Sequence, residues 1–166
     1  MEIRTYKVYK FNELSEDTKQ TVINNWYENE EYEYLSDNLT EYVKTLLKDN
    51  KITIIDKFKV YYDLSHSQGD GLCFIGSFKW KNYHINITHS GMYYHSKSTT
   101  IDINTYAGNE AKNSIYAKFN EIYQDICKTA EKQGYDIIEY RMSNEEFDEL
   151  CQDNNYMFTK DGKIDY

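Results

Sequence analysis

Residues 58–80 read FKVYYDLSHSQGDGLCFIGSFKW, and this stretch decides the fold class. Its large apolar side chains recur at every second position from Phe58 to Leu64, which is the period of a strand with one buried face. A Gly-Asp-Gly turn follows at 69–71, and large apolar side chains then alternate again up to Trp80. The stretch therefore predicts two strands of one sheet, joined by a short polar connection.

The same period continues along the chain after these two strands. Further strands are predicted over 83–88 and Thr99–Thr105, and Ser90-Gly91 predicts a turn into an extended piece at 93–95. Strands that follow one another through short connections favour an antiparallel meander over β-α-β units. We therefore expect one antiparallel sheet of four to five strands.

Helical patterns precede and follow the predicted sheet. Ser15 is the expected N-cap of a first helix, and a second helix is predicted over about 31–49, where apolar residues recur four apart. After the sheet, Asn109 is expected to cap a third helix and Gly134 to end it. Ser143 begins a capping box before a short acidic helix. The chain thus has two N-terminal and two C-terminal helices.

Short extended pieces are predicted near the two ends of the chain. Residues 3–11 form a first strand or an extended arm, and Asp161-Gly162 makes the turn of a short hairpin. The length suits one domain, because chains split into separate cores only beyond about 250 residues. The prediction is a single α+β domain over residues 1–166, in which an antiparallel β-meander sheet packs with the helices.

Composition limits the function. The 166 residues include 28 acidic and 19 basic side chains, so the formal net charge is −9. This balance argues against direct binding to duplex nucleic acid, which requires clustered Lys and Arg. No apolar run approaches the roughly 18 residues of a membrane span, and the N-terminal residues lack the apolar region of a secretory signal. We expect a cytoplasmic protein with no membrane segment, in the host cytoplasm if a phage encodes it.

The cysteines do not form a recognisable framework. Cys73, Cys127 and Cys151 are odd in number and widely spaced, whereas zinc sites use close pairs such as C-x₂-C. We expect all three thiols to be reduced and buried. Neither a metal nor another cofactor is predicted.

The connection between the first two strands carries the polar groups best suited to a site. Two glycines flank Asp70, which allows close approach of another backbone, and Ser65 and Ser67 add donors and acceptors. One interpretation is a structural turn whose carboxylate accepts backbone N–H groups. The other is a polar floor that binds a ligand. On that interpretation the candidate ligand-binding residues are Ser67, Gln68, Asp70, His89, Tyr94 and His95.

Histidines and hydroxyls offer little support for catalysis. Among the four histidines, His84 and His89 are five residues apart, which places them on opposite faces of a regular strand. No short pair of metal ligands of a familiar type appears, and no serine follows the strand–turn–helix pattern of a nucleophile elbow. We therefore name no catalytic residue and no metal ligand. A metal-dependent phosphodiesterase or nuclease is kept as the last alternative.

Acidic side chains concentrate in the N-terminal helices. Residues 13–41 hold nine Asp or Glu and one Lys, and residues 143–153 hold five acids without a basic residue. One interpretation is a pair of solvated helix faces. The other is a surface that meets a basic partner, because tyrosines supply rigid contact area and complementary charge speeds encounter. The candidate interface residues are Trp26, Tyr27, Glu30, Glu31, Tyr32, Glu33 and Tyr34. The expected partner is a host protein that handles nucleic acid.

Two segments resemble a known pattern. Residues 9–15 read YKFNELS and residues 67–76 read SQGDGLCFIG. Together they resemble the layout YxFxELS … SQGDGxxFxG of a family of small phage and bacterial proteins, often labelled antitoxin-like. The pieces HSG at 89–91 and FTKDG at 158–162 are similar as well. The resemblance implies a mobile-element context, in which small proteins commonly act by binding a host component.

Three functions stay open, in this order. The first is a non-enzymatic phage or mobile-element protein that inhibits a host defence complex, in an anti-CRISPR-like or other anti-defence role, or a toxin, by stoichiometric binding. The second is a module that binds a small ligand and sequesters a nucleotide signal. The third is the phosphodiesterase or nuclease. The tyrosine-rich composition is also compatible with a homodimer.

Overall fold

The structure is a computed structural model that describes residues 6–28, 32 and 34–165. Its helices are α1 (Glu16–Tyr27), α2 (Leu35–Asp49), α3 (Asn113–Arg141) and α4 (Asn144–Asp153). Its strands are β1 (Ile52–Asp63), β2 (Gly71–Trp80), β3 (Tyr83–His89), β4 (Thr99–Thr105), β5 (Met157–Phe158) and β6 (Ile164–Asp165). This architecture confirms the predicted α+β class.

A four-stranded antiparallel meander forms the main sheet, in the order β1-β2-β3-β4. Its register pairs Tyr62 with Leu72, and Ile87 with Ile101. These pairs stack apolar side chains of successive strands on a common face, since side chains alternate between the faces of a strand. The predicted meander is therefore confirmed, whereas the predicted extended piece at 93–95 lies in a loop between β3 and β4.

The described chain forms two compact units. The terminal unit comprises Met1–Tyr32 and Ile137–Tyr166, and the sheet unit comprises Glu33–Asp136. The assignment of residues 1–166 to one domain stays a prediction. No helix within the described ranges is both long and apolar enough to cross a membrane.

The core of the sheet unit forms where α3 packs on β2. The ring of Tyr123 lies 4.7 Å from that of Phe74, and its hydroxyl donates to the Phe74 carbonyl over 3.2 Å. Phe119 lies 5.3 Å from Trp80, again centroid to centroid. α2 contributes the predicted apolar stripe, and all four of its members are buried: Leu35, Leu39, Val43 and Leu47. Aromatic and aliphatic packing together exclude water from this unit.

The terminal unit has an aromatic core of its own. Phe11 lies 4.8 Å from Phe147 and 6.1 Å from Phe158 in edge-to-face geometry. Val22 and Ile23 of α1 are buried in the same cluster. The predicted caps hold α1 and α4, since the Ser15 and Ser143 hydroxyls accept the backbone N–H groups three residues on. The predicted C-terminal hairpin is present as β5 and β6.

The N-terminal expectations need two corrections. α2 begins at Leu35 rather than near residue 31. Of the first strand or extended arm expected over 3–11, the described part has Tyr9 bridged to Phe158 and Lys10 in an extended conformation, and a 3₁₀ turn follows at Phe11–Glu13. Residues 3–5 lie outside the described ranges. The Phe11 ring is buried in the terminal core.

Both predicted ends of the third helix are wrong. α3 begins at Asn113, because the chain from 109 to 111 first pairs with the end of β4, where Thr105 donates to Asn109 and Ala111 donates to Ile103. The helix runs through Gly134, which is buried. A Cβ at this position would clash with the Leu64 side chain and would lie 3.4 Å from Leu39. The glycine therefore makes room for packing instead of ending the helix.

We expect Gly134→Val to lower the free energy of unfolding by about 1–3 kcal/mol, because the added methyl groups overpack the contact with Leu64 and Leu39. The matched control is Lys132→Val, which places the same side chain at an exposed position two residues earlier. Lys132→Val should lower the free energy of unfolding only by about 0.5 kcal/mol, which is the difference in helix propensity between the two residues. Denaturant titration measures both losses, and equal losses would contradict this role of Gly134.

Candidate functional site

Asp70 organises the connection from β1 into β2; we call residues 65–71, which end at the first residue of β2, the SQGDG loop. Its Oδ1 accepts hydrogen bonds from the Ser65 hydroxyl (3.1 Å), the Ser67 hydroxyl (2.9 Å) and the Ser67 backbone N–H (2.9 Å). Its Oδ2 accepts a hydrogen bond from the hydroxyl of Tyr135 on α3. The carboxylate thus joins a loop to a helix that is 65 residues away in sequence.

These donors set the protonation state of Asp70. Its partly desolvated position opposes ionisation, but the hydrogen bonds from Tyr135, Ser67 and Ser65 outweigh that effect and hold the pKa of the carboxyl well below its usual range. The converse holds for Tyr135, whose pKa is raised by desolvation and by the neighbouring Asp70 carboxylate. Asp70 is therefore an ionised acceptor at neutral pH, with each oxygen already hydrogen-bonded.

The loop after β3 packs directly on the SQGDG loop. A Cβ at Gly69 would lie 2.9 Å from the Tyr93 ring. A Cβ at Gly71 would lie 2.9 Å from His95 Nδ1 and 3.0 Å from the Tyr94 carbonyl oxygen. At Gly71 the obstacles include backbone atoms of the neighbouring loop, so glycine there allows the two loops to meet, whereas at Gly69 the obstacle is the exposed Tyr93 ring.

An aromatic cluster lies beside this contact. The rings of Tyr61 and Tyr94 are stacked, with centroids 5.3 Å apart, and His89 lies 5.9 Å from Tyr61 and 5.6 Å from Tyr94. His89 Nε2 is 3.0 Å from the Tyr93 carbonyl oxygen. The Lys59 ammonium lies 4.5 Å from the centroid of the Tyr61 ring. The side chains in this cluster thus contact one another.

The structure brings together most of the predicted ligand-binding residues. Ser67 contacts Asp70, His89 contacts Tyr94, and His95 lies against Gly71. Gln68 is exposed on the loop. The hydrogen bonds of Asp70 favour the structural-turn interpretation for that residue, and a ligand-binding role for the six stays a prediction.

Sequence reasoning missed Tyr135. Its hydroxyl is the donor that ties Asp70 to α3, and its ring lies 4.7 Å from the ring of His66. The position carries no local signal, since Tyr135 follows Gly134, where the helix was expected to end. Only the continuation of α3 brings this hydroxyl to the loop.

The predicted protein-interface residues have different surroundings. Trp26 and Tyr27 pack on Phe147, with ring centroids 5.7 and 6.0 Å away, so both contribute to the terminal core. The Arg141 guanidinium lies 4.4 Å from the Tyr27 ring centroid and 4.5 Å from that of Tyr32. Tyr34, in the sheet unit, is 63% exposed. The other three candidates, Glu30, Glu31 and Glu33, lie outside the described residues.

A row of carboxylates runs along α4. Glu145, Glu149 and Asp153 are spaced four residues apart and are exposed. Residues three and four apart share one face of a helix, so the three acids form a single stripe. Within the described residues none of the three forms an ion pair, while Glu16, Glu41 and Asp161 pair with nearby lysines. Like charges at this spacing destabilise a helix slightly.

The cysteines are buried as free thiols, as the sequence predicts. Burial raises the pKa of Cys73 to about 12 and that of Cys151 to about 12. Burial likewise raises the pKa of Cys127 far above its ordinary value. Since the thiolate is the nucleophilic form, all three thiols are inert at neutral pH.

Comparisons with known protein families, with curated proteins and with solved structures gave no match. Across the part of the chain that the structure describes, no three His, Cys, Asp or Glu side chains are grouped so that they could hold a metal ion.

We expect Tyr135→Phe to destabilise the protein by about 1–2 kcal/mol, because it removes a hydrogen bond to a charged acceptor. The pKa of Asp70 is lowered in the folded protein, so its ionised form stabilises the fold above the unfolded-state value of about 3.9. That contribution is lost as the pH falls further and the folded-state carboxyl is protonated. The penalty for Tyr135→Phe should therefore shrink below roughly pH 4.

The matched control is Tyr116→Phe, which removes the same hydroxyl from an exposed position on the same helix. Its effect should stay within about 0.5 kcal/mol at every pH. Urea denaturation of both variants between neutral and acidic pH makes the comparison. A penalty for Tyr135→Phe that does not vary with pH would show that Asp70 is not its partner.

Proposed function

We propose that this protein is a non-enzymatic inhibitor that binds a basic, nucleic-acid-handling host protein stoichiometrically through its terminal unit. The observation that carries the proposal is the separation of charge between the units. Residues 1–32 and 137–166 hold fifteen acidic and seven basic side chains, whereas residues 33–136 hold thirteen acidic and twelve basic. Nearly all of the net charge thus belongs to one unit, which therefore carries an excess of negative charge.

Part of this negative charge lies in the stripe of carboxylates on α4. Glu145, Glu149 and Asp153 are exposed and form no ion pair within the described residues, so their charge is not neutralised locally. A stripe of carboxylates is complementary to basic grooves that bind phosphates. Complementarity of this kind mainly raises the association rate and selects the partner.

Aromatic contact area accompanies the acidic charge. The Arg141 guanidinium lies 4.4 Å from the Tyr27 ring centroid and 4.5 Å from that of Tyr32, so cation–π contacts connect the three side chains. Tyrosine supplies contact area at low conformational-entropy cost. The terminal unit therefore combines charge for encounter with aromatic groups for a short-range contact.

Two observations support binding rather than catalysis. The Asp70 carboxylate accepts hydrogen bonds from protein groups at both oxygens, which opposes a role as general base. Burial raises the pKa of each thiol, which opposes a role as nucleophile. The resemblance to small phage and bacterial proteins favours a host defence complex or a toxin as the target.

The test begins with capture of partners from a bacterial lysate at low salt, followed by purification of the recovered basic protein and kinetic measurement of its binding. We expect the double variant Glu145→Lys/Glu149→Lys to lower the association rate constant at least about tenfold, because it reverses the field that steers encounter. Salt should weaken wild-type association, since the Debye length falls from about 30 Å at 0.01 M to about 3 Å at 1 M.

The matched control is Glu121→Lys/Asp125→Lys on α3, an exposed pair with the same spacing and the same change in net charge. It lies in the sheet unit and should leave the rate nearly unchanged. Inhibition of the partner's activity should be complete at a one-to-one ratio, whereas an enzyme would act at far lower ratios. Equal effects of the two double variants, or a rate that does not depend on salt, would refute the proposal.

A further inference from the structure

A polar groove lies in the sheet unit, between the β3–β4 pair and the segment from Glu110 to Tyr116. Its volume is about 580 Å³. Pockets that bind small molecules typically measure about 300–1,000 Å³. The side chains that decide its chemistry are His84, Asn86, Asp102, Asn104, Glu110 and Tyr116.

The strand register places these groups in rows. His84 is opposite Asn104, and Asn86 is opposite Asp102. Asn104 is bridged in turn to Glu110. Residues two apart on a strand share a face, and directly opposed residues have Cβ atoms about 5 Å apart. The groove floor is therefore a compact array of imidazole, amide and carboxylate groups.

Most of these polar groups are not hydrogen-bonded to other protein groups in the described part of the chain. Within the described residues, the side chains of His84, Asp102, Asn104 and Glu110 form no hydrogen bond to another protein group; Asp102 and Glu110 are exposed, and His84 and Asn104 are half-buried. Asn86 forms one, accepting from the Ser77 hydroxyl at its Oδ1 over 3.2 Å, which leaves its N–H₂ donors. The SQGDG loop differs in this respect, because its carboxylate is already occupied by Ser65, Ser67 and Tyr135.

The mixture of donors and acceptors selects a class of ligand. Amides both donate and accept, and ionised carboxylates only accept. A hydroxyl group can donate to a carboxylate while it accepts from an amide, so hydroxyls on adjacent carbon atoms satisfy neighbouring members of the array. Asp102 and Glu110 disfavour a phosphate by like-charge repulsion. Tyr116, which is 43% exposed at the side of the groove, offers ring surface to the carbon skeleton.

We propose that this groove binds a small neutral polyol, a ligand that presents hydroxyl groups on adjacent carbon atoms. A free sugar and the ribose of an uncharged nucleoside share this chemistry. The groove belongs to the sheet unit, whereas the proposed inhibitory contact, with the stripe on α4, belongs to the terminal unit. The polyol proposal therefore does not depend on the proposed function, and each can be tested without the other.

The experiment is a titration of ¹⁵N-labelled full-length protein, followed by backbone amide resonances, with glucose, galactose, ribose and adenosine as separate probes. At least one probe should shift resonances of β3 and β4 around Asn86 and Asp102. Binding of hexoses would identify a sugar site, and binding of ribose and adenosine alone would identify a nucleoside site. Both outcomes support a polyol groove.

Variants connect the shifts to the groove. Asp102→Ala and Asn104→Ala should each weaken binding of the active probe about tenfold, as expected for loss of one or two hydrogen bonds. The matched control is Thr100→Ala, an exposed residue on the same strand whose partner Thr88 lies one row beyond the groove. It should leave the dissociation constant unchanged. The spectrum of each variant shows directly whether it is folded.

Three results would overturn the inference. The first is the absence of any shift with all four probes at high millimolar concentration. The second is binding that the Asp102→Ala/Asn104→Ala double variant retains in full. The third is a groove that binds the cation spermidine but no polyol, which would show that its carboxylates act as a charge site.

Discussion

Tyr123 of α3 contacts β2 in two ways, since its ring packs on Phe74 and its hydroxyl donates to the Phe74 carbonyl. This contact sets where the long helix lies on the sheet. About three turns further along, the same helix presents Gly134 to Leu64 and Tyr135 to Asp70. The SQGDG loop therefore depends on α3, and the loop that carries Tyr94 depends in turn on the SQGDG loop.

The sheet could be predicted from sequence because its signal is local and repeated. β4 has the predicted bounds, and the caps at Ser15 and Ser143 were recognisable from neighbouring residues. The ends of α3 could not be predicted in this way. Glycine often ends a helix, but the space left by its missing side chain is filled by Leu64, which is 70 residues away in sequence. Tertiary packing overrides local preference at that position.

In the candidate site, too, some features follow from neighbouring residues in the sequence and others depend on tertiary packing. That Asp70 accepts backbone and hydroxyl hydrogen bonds was foreseeable from the serines beside it, whereas its bond to Tyr135 required the path of the helix. The rows of the polar groove had a signal in the sequence, namely polar residues at every second position of β3 and β4. The alternation alone does not predict which polar residues lie side by side. That depends on the register, which pairs Asn86 with Asp102 in the folded sheet.

The reactivity of the buried thiols can be used to measure how often each core of the protein opens. Cys73 and Cys127 lie in the sheet unit, and Cys151 lies in the terminal unit. An alkylating reagent can reach each sulfur only when the surrounding core opens, so the rate of labelling measures the free energy of that opening. Mass spectrometry resolves the three sites without any engineered label. Equal rates would mean that the two cores open as one cooperative unit, and faster labelling of Cys151 would mean that the terminal unit opens by itself.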